Sequence, residues 1–173
     1  MTQKTVAVLG KYNPLNYSLY EFEFARLVGA HIGQRGGVIA TDTGSGFSAW
    51  ASLGSSEVQG MTIGFSPASS RYEHENHYRL SLEHVSSVVY TGFGYLGRDL
   101  LMVRSSDAVL VFLGNEKIGH EGLLAKELQK PLIVITLGKE DEIVKELLGD
   151  LYDYAEKYSS QKEVLKRIEI MFS

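Results

Sequence analysis

The hydrophobic positions of the chain fall into six short runs separated by longer segments of mixed polarity. The runs are TVAVLG (5–10), GVIAT (37–41), MTIGFS (61–66), SSVVYTG (86–92), DAVLVFLG (107–114) and PLIVITLG (131–138). They are rich in β-branched residues and most end in Gly, Ser or Thr, which predicts β-strands. Because most are apolar at consecutive rather than alternate positions, we expect helices to cover both faces of the strands.

Helical periodicity fills the segments between these runs. Apolar residues recur at helical spacing over 18–35, and shorter helices are predicted over 95–107 and 119–130. Residues 140–158 and 161–172 are predicted to form one or two amphipathic helices. Strands and helices that alternate in this way predict an α/β fold, an open and mainly parallel sheet of about six or seven strands with helices on both faces.

The segment RYEHENHYRL (71–80) is predicted to be a loop between two strands. It holds two histidines, two glutamates, two arginines and two tyrosines. Two interpretations stay open, a solvated or interface segment and a lid whose arginines and tyrosines close over a nucleotide base. The mixed spacing of the His and Glu residues does not favour a metal site.

Composition narrows the class of protein. The chain has 173 residues, 44% of them hydrophobic and 22% charged, and no apolar run approaches the length of a membrane span. We therefore expect a single domain over residues 1–173, a cytoplasmic location and no membrane partner. The net charge of −4 argues against nucleic-acid polymers as partners, and the absence of cysteine removes disulfides and thiolate chemistry.

Three glycine-bearing junctions follow predicted strands, namely LGKYNPLN (9–16), TDTGSGF (41–47) and LGNEKIGHEG (113–122). Glycine permits close backbone approach, and the N–H groups at a helix start attract anions. Neither the P-loop pattern nor GxGxxG is present. The sequence predicts a phosphate-binding edge of the sheet, with these candidate ligand-binding residues: Gly10, Gly44, Ser45, Gly46, Gly114, Asn115, Lys117 and Gly119.

One stretch, residues 98–135, resembles a known family. An Arg, a Met four residues later, Ser-Asp-Ala before a strand, a Gly and Glu around the next helix start, and a later Lys-Pro fall at the family's positions. These residues are Arg98, Met102, Ser106, Asp107, Ala108, Gly114, Glu121, Lys130 and Pro131. The pattern is similar to that of the LOG-type proteins, often labelled lysine decarboxylases, and of the related molybdenum-cofactor carriers. Gly44 and Gly46 match a second motif of the family.

The resemblance implies a dimeric or higher homo-oligomeric, Rossmann-like protein that grips phosphate. In enzymatic members it implies a phosphoribohydrolase that cleaves the N-glycosidic bond of a nucleoside 5′-monophosphate without a metal or an organic cofactor. In the hydrolase, Glu121 would stabilise the positive charge on the sugar and orient or deprotonate the attacking water. Arg98 would bind the substrate and hold Glu121 in place through a charge-assisted ion pair. We discount the decarboxylase label, because no lysine stands out as a buried Schiff-base former.

The motif departs from the family pattern at several positions. Asn115, Lys117 and Ile118 replace Gly, Gly and Thr, and Asp42 and Thr43 replace two upstream glycines. These changes in the glycine-rich phosphate-binding motifs favour a carrier that holds a nucleotide or a phosphorylated cofactor without cleaving it. The retained Arg98 and Glu121 favour the hydrolase, which is the leading hypothesis. Both functions stay open at this point.

Overall fold

A computed structural model of the protein describes residues 3–10 and 17–173. The strands are β1 (Thr5–Leu9), β2 (Val38–Thr41), β3 (Met61–Ser66), β4 (Ser87–Tyr90), β5 (Ala108–Phe112), β6 (Leu132–Ile135) and β7 (Glu156–Tyr158). The helices are α1 (Leu19–Gln34), α2 (Phe47–Glu57), α3 (Arg71–Asn76), α4 (Gly94–Arg104), α5 (His120–Glu127), α6 (Asp141–Leu148) and α7 (Gln161–Phe172), with a 3₁₀ turn at Gly149–Leu151. Within the described ranges, no helix combines the length and apolarity that a membrane crossing requires.

The strands form one parallel sheet in the order β4-β3-β2-β1-β5-β6-β7. The chain builds the sheet outward from β1 in one direction through β4, then returns to the other side of β1 with β5. The strand order therefore reverses between β1 and β5. This confirms the predicted Rossmann-like α/β class and fixes where the carboxyl ends of the strands diverge.

The side chains of β1 explain why the strand sequences read as unbroken apolar runs. Val6 and Val8 pack into a core shared with α1, α2 and α7, whereas Ala7 and Leu9 pack into a core shared with α4, α5 and α6. Successive residues of a strand point to opposite faces, so a strand with a core on each side must be apolar at every position.

Two glycines let α1 and α2 approach closely. A Cβ at Gly29 would overlap the carbonyl group of Ala51, and a Cβ at Gly54 would overlap the carbonyl group of Arg26. The helices therefore touch backbone to backbone at both points. This contact fixes the middle of α2 against α1.

The prediction for residues 140–158 is wrong in part. A helix forms only over Asp141–Leu148, and Gly149 then adopts a φ of 52°, a left-handed conformation that ends it. The chain continues as the 3₁₀ turn and as β7, which pairs with β6 in the register Ile133↔Glu156. A strand of three residues gains its stability from that pairing, so its own sequence carries little signal.

The prediction of a loop over 71–80 is also corrected. Residues 71–76 form α3, because the hydroxyl of Ser70 accepts a hydrogen bond from the backbone N–H of Glu73 at 3.2 Å. The Glu73 carboxylate in turn accepts hydrogen bonds from the N–H and hydroxyl of Ser69, at 2.8 and 2.6 Å. Only the part after residue 77 lacks regular structure, up to β4.

The close contact of α1 and α2 yields a stability prediction for Gly29→Ala. Alanine gains about 1 kcal/mol of intrinsic helix propensity over glycine, but overlap with the Ala51 carbonyl costs about 1–3 kcal/mol or more. We expect a net loss of stability in urea unfolding. Leu27→Ala, on the exposed side of the same helix, serves as a control and should change stability by less than about 1 kcal/mol. A Gly29→Ala variant as stable as the wild type would contradict the backbone contact.

Candidate functional site

A crevice of about 280 Å³ opens where the carboxyl ends of β1 and β5 diverge. Parallel sheets bind ligands at such a reversal of strand order. The following predicted site residues line the crevice: Gly10, Gly114, Lys117, Gly119 and Glu121. Asp99, Glu116 and His120 line it as well. Residues 11–16, the rest of the first glycine-bearing junction, lie outside the described residues.

Two glycines of the crevice occupy places where a side chain would not fit. A Cβ at Gly10 would lie 2.5 Å from Cβ of Phe47 and 2.8 Å from the hydroxyl oxygen of Tyr17. A Cβ at Gly119 would lie 2.5 Å from Oε2 of Glu121. The Glu121 carboxylate thus folds back over the start of α5, and the glycine permits this close approach.

The start of α5 is the most favourable place for an anion in the crevice. Gly119 is the N-cap residue, and no described side chain caps the helix. The first-turn N–H groups and the helix dipole therefore act on whatever fills the crevice. Lys117 is exposed and lines the same space. Asn115 lies outside it, and its amide oxygen accepts a hydrogen bond from Nζ of Lys139 at 2.9 Å.

Carboxyl groups nevertheless outnumber basic groups among the described side chains that line the crevice. Among the described residues that line it, Asp99, Glu116 and Glu121 contribute three carboxyl groups and Lys117 one ammonium group. Over residues 3–10 and 17–173, no three His, Asp or Glu side chains are grouped so as to hold a metal ion. A phosphate in the crevice would meet Lys117 and the start of α5, where the Glu121 carboxyl group also lies, so its binding would favour the protonated form of Glu121.

Arg98 does not line the crevice but lies buried behind it. Its side chain is 2% exposed. Nε and Nη2 donate hydrogen bonds to Oδ1 of Asp99 at 2.9 and 2.7 Å, and Nη1 donates to the carbonyl oxygen of Asp42 at 3.1 Å. The guanidinium also lies 5.1 Å from the ring centroid of Tyr95. Arg98 therefore links α4 to the loop after β2.

Asp42 completes that link from the other side. Its carboxylate accepts hydrogen bonds from the N–H of Gly44 at 2.9 Å and from the hydroxyl of Ser48 at 3.0 Å. Gly46 is the N-cap of α2 and offers no side chain to the helix start. The carboxylate of Asp42 thus supplies negative charge beside the amino end of α2, in a loop where the resemblance expects a ligand phosphate.

The electrostatic environment favours the neutral form of Glu121. Burial raises the pKa of its carboxyl group, and the nearby charges of Asp99 and Asp42 raise it further. A hydrogen bond from its own backbone N–H and the proximity of His120 oppose that rise. Nδ1 of His120 lies 3.8 Å from Oδ2 of Asp99, beyond hydrogen-bond distance. Glu121 is therefore an acid whose proton is held more tightly than that of an exposed glutamate.

A second, larger cavity of about 600 Å³ lies between α2 and residues 79–85. Gly44 and Ser45 line this cavity and not the crevice. The structure therefore does not gather the predicted site residues in one place. Asp99, the buried partner of Arg98, was missed by sequence reasoning. Its signal in the sequence was the adjacent Arg98–Asp99 pair in the middle of a helix whose other charged residue, Arg104, lies at its end.

The chain is similar to known proteins in both sequence and structure. Residues 3–167 match the sequence model of the SLOG cluster4 family. A search of curated proteins finds no match. The molybdenum cofactor binding protein of the phototrophic bacterium Rippkaea orientalis is similar in structure, with a TM-score of 0.76, 26% identity and coverage of 100% of this chain and 99% of that chain.

Two further solved structures share the fold. The molybdenum cofactor carrier protein of Chlamydomonas reinhardtii has a TM-score of 0.74 at 19% identity, covering 98% of each chain. DNA processing protein A of Helicobacter pylori has a TM-score of 0.70 at 22% identity, covering 99% of this chain and 83% of that chain. At these identities the similarity concerns the fold alone.

The raised pKa of Glu121 predicts how Glu121→Gln changes stability with pH. In the folded protein the protonated form is favoured, so the contribution of this carboxyl is fully present below about pH 4, where an unfolded glutamate titrates. It is lost as the pH rises through the folded pKa. We expect the variant to melt at a higher temperature than the wild type at pH 8, with the difference vanishing toward pH 4. Glu127→Gln, an exposed site on α5, is the control. A variant less stable than the wild type at pH 8 would contradict this environment.

Proposed function

The chain belongs to the SLOG cluster4 family, and on that premise we propose that it is a carrier-type protein, which binds a phosphorylated small molecule and holds it without cleaving it. The observation that carries the proposal is the crevice at the reversal of strand order, into which the uncapped start of α5 opens beside Lys117. The phosphate of the ligand lies against the first-turn N–H groups of α5 and the ammonium group of Lys117.

The ligand class is proposed from the names of the similar proteins. The proteins of Rippkaea orientalis and Chlamydomonas reinhardtii are named as a binding protein and a carrier of the molybdenum cofactor. Both align with this chain over nearly its whole length. A nucleotide or a molybdenum-cofactor-type compound is therefore the proposed ligand, with its phosphate in the crevice.

Holding rather than cleaving is favoured by the position of Arg98. A hydrolase of the kind that the resemblance implies needs this guanidinium at the substrate. Here the arginine is buried, and its guanidinium donates to Asp99 and to the carbonyl of Asp42. A substrate would have to displace these buried partners from Arg98. The free-energy cost would be comparable to that of breaking a buried ion pair, which is several kcal/mol.

A phosphoribohydrolase is the second candidate, and one observation favours it. Glu121 lines the crevice, and its pKa is raised by burial. A carboxyl group of that kind exchanges protons with a substrate near neutral pH more readily than an ordinary glutamate does. Release of ribose 5-phosphate distinguishes the two candidates.

Single-stranded DNA is a weaker ligand candidate. DNA processing protein A of Helicobacter pylori is described as binding single-stranded DNA. This chain carries a net charge of −4, and three carboxyl groups line its crevice. A polyanion needs a local surplus of Lys and Arg, so we expect an oligonucleotide to bind weakly.

The proposal extends to a homodimer, which the resemblance also implies. Four large apolar side chains on or beside neighbouring helices α4 and α5 are exposed: Phe93 at 71%, Leu96 at 67%, Leu100 at 37% and Leu123 at 52%. Phe93, Leu96 and Leu100 recur at helical spacing and lie on one face. A second copy of the chain that covers this face would also lie next to the helix that carries Arg98.

Ligand binding is tested with adenosine and guanosine monophosphates and purified molybdenum cofactor, using calorimetry and an assay for ribose 5-phosphate. We expect saturable binding without release of ribose 5-phosphate. Lys117→Ala should weaken binding about tenfold, the effect of losing about 1.4 kcal/mol. Lys166→Ala, which removes an exposed lysine from α7, is the matched control. Turnover that Glu121→Gln abolishes would instead establish the hydrolase, and unchanged affinity in Lys117→Ala would contradict the proposed phosphate position.

The dimer is tested by light scattering on the size-exclusion eluate. We expect the wild type to have twice the mass of the chain and Leu96→Glu to be a monomer, because a carboxylate cannot be buried in an apolar interface without a partner. Leu19→Glu, at an exposed site on α1, should remain dimeric. A monomeric wild type would contradict this part of the proposal.

A further inference from the structure

The larger cavity, of about 600 Å³ between α2 and residues 79–85, has no part in the proposed function. Its size is typical of small-molecule sites, which are concave, mostly apolar and about 300–1,000 Å³. Its apolar lining comes from Ala49, Trp50, Leu53, Leu80 and Val85. The indole of Trp50 is supported by Phe22, with ring centroids 4.6 Å apart. The walls therefore suit a flat apolar body.

The wall of this cavity concentrates unfavourable backbone conformations. Five non-glycine residues of the described chain have positive φ, and Thr43, Arg79 and His84, at 60°, 53° and 60°, all line the cavity. A β-branched residue at positive φ is a genuine outlier, and such residues persist where the surroundings impose them, often at ligand sites. Gly64 makes room for Thr43, because a Cβ there would lie 2.8 Å from Cγ2 of Thr43.

Hydrogen bonds hold the outer wall in place without a ligand. The N–H of Leu80 donates to the carbonyl of His74 at 3.3 Å, and the N–H of Ser86 donates to the carbonyl of Thr62 at 2.8 Å. His74 is itself fully buried, with Nδ1 2.7 Å from Oγ of Ser66. Both ends of the segment are therefore anchored to the sheet and α3, which makes the cavity a preformed one.

Two opposite charges lie in the lining. Arg79 and Glu83 are both exposed. Neither side chain makes an ion pair or a side-chain hydrogen bond with any residue in the described part of the chain. A ligand that offers a carboxylate to the guanidinium and an ammonium group to the carboxylate satisfies both. The apolar walls leave space for a ring on the same molecule.

We infer that this cavity is a second binding site, for a small aromatic compound that carries both a carboxylate and an amino group, such as an aromatic amino acid. Its ring lies among Trp50, Leu53 and Leu80. Its charged groups lie at Arg79 and Glu83. The loop of residues 42–46 lies between this site and the crevice, so occupancy of one does not require the other.

The single tryptophan of the chain is the reporter for the test. We expect L-phenylalanine, which does not absorb where tryptophan is excited selectively, to change the fluorescence of Trp50 saturably. 3-Phenylpropanoate and phenethylamine, which each lack one charged group, should bind about fivefold more weakly, the upper range for an exposed ion pair. No saturable change with L-phenylalanine, or equal affinity for all three compounds, would overturn the assignment.

Variants locate the binding event. Arg79→Asn keeps a residue that tolerates positive φ and should remove the preference for L-phenylalanine over phenethylamine. Glu83→Gln should remove the preference over 3-phenylpropanoate. Arg71→Ala, on α3 and paired with Glu75 at 2.7 Å, is the control and should change neither. Lys117→Ala should leave L-phenylalanine binding intact, so loss of phosphate binding at the crevice does not affect this result. Preferences that survive both Arg79→Asn and Glu83→Gln would overturn the site.

Discussion

Burial of the Arg98 guanidinium is the constraint on which the functional edge of this protein depends. A cation this deeply buried is tolerated only where hydrogen-bond acceptors surround it, and Asp99 and the carbonyl of Asp42 supply them. Because Asp42 also holds Gly44 and Ser48, the charge of one arginine fixes α4, the loop after β2 and the start of α2 as a unit. The crevice lies on one side of this unit and the larger cavity on the other.

The same constraint shapes what the crevice can do. With Arg98 engaged by Asp99, the positive groups that the described residues offer to a ligand in the crevice are Lys117 and the first turn of α5. The carboxyl group of Glu121 responds to the charges of Asp42 and Asp99 by holding its proton more tightly. A site built in this way can hold a phosphate at the start of α5 when the Glu121 carboxyl group that lies there is protonated. Such a site is better suited to retention than to charge separation at a glycosidic bond.

Much of the fold could be predicted, because the central strands β1, β2, β5 and β6 are buried on both faces and are apolar at nearly every position. β7 could not be predicted, since Glu156–Tyr158 is short and polar and pairs only because β6 is already in place. The signal for α3 was present in Ser70 and Glu73, but the cluster of charge around it favoured a loop. For the site, glycine positions and Glu121 were visible in the sequence, whereas the pairing of Arg98 with Asp99 depends on burial that only packing defines. The larger cavity lies between α2 and residues 79–85, which are far apart in the sequence, so no local sequence pattern predicts it.

A crystal structure of the protein with adenosine monophosphate tests the account most directly. We predict an intact nucleotide in the crevice, with its phosphate within hydrogen-bond distance of the backbone N–H of His120 and of Nζ of Lys117. Arg98 should still be paired with Asp99. A phosphate bound in the cavity beside Trp50, or ribose 5-phosphate separated from the base with Arg98 turned toward it, would contradict the account.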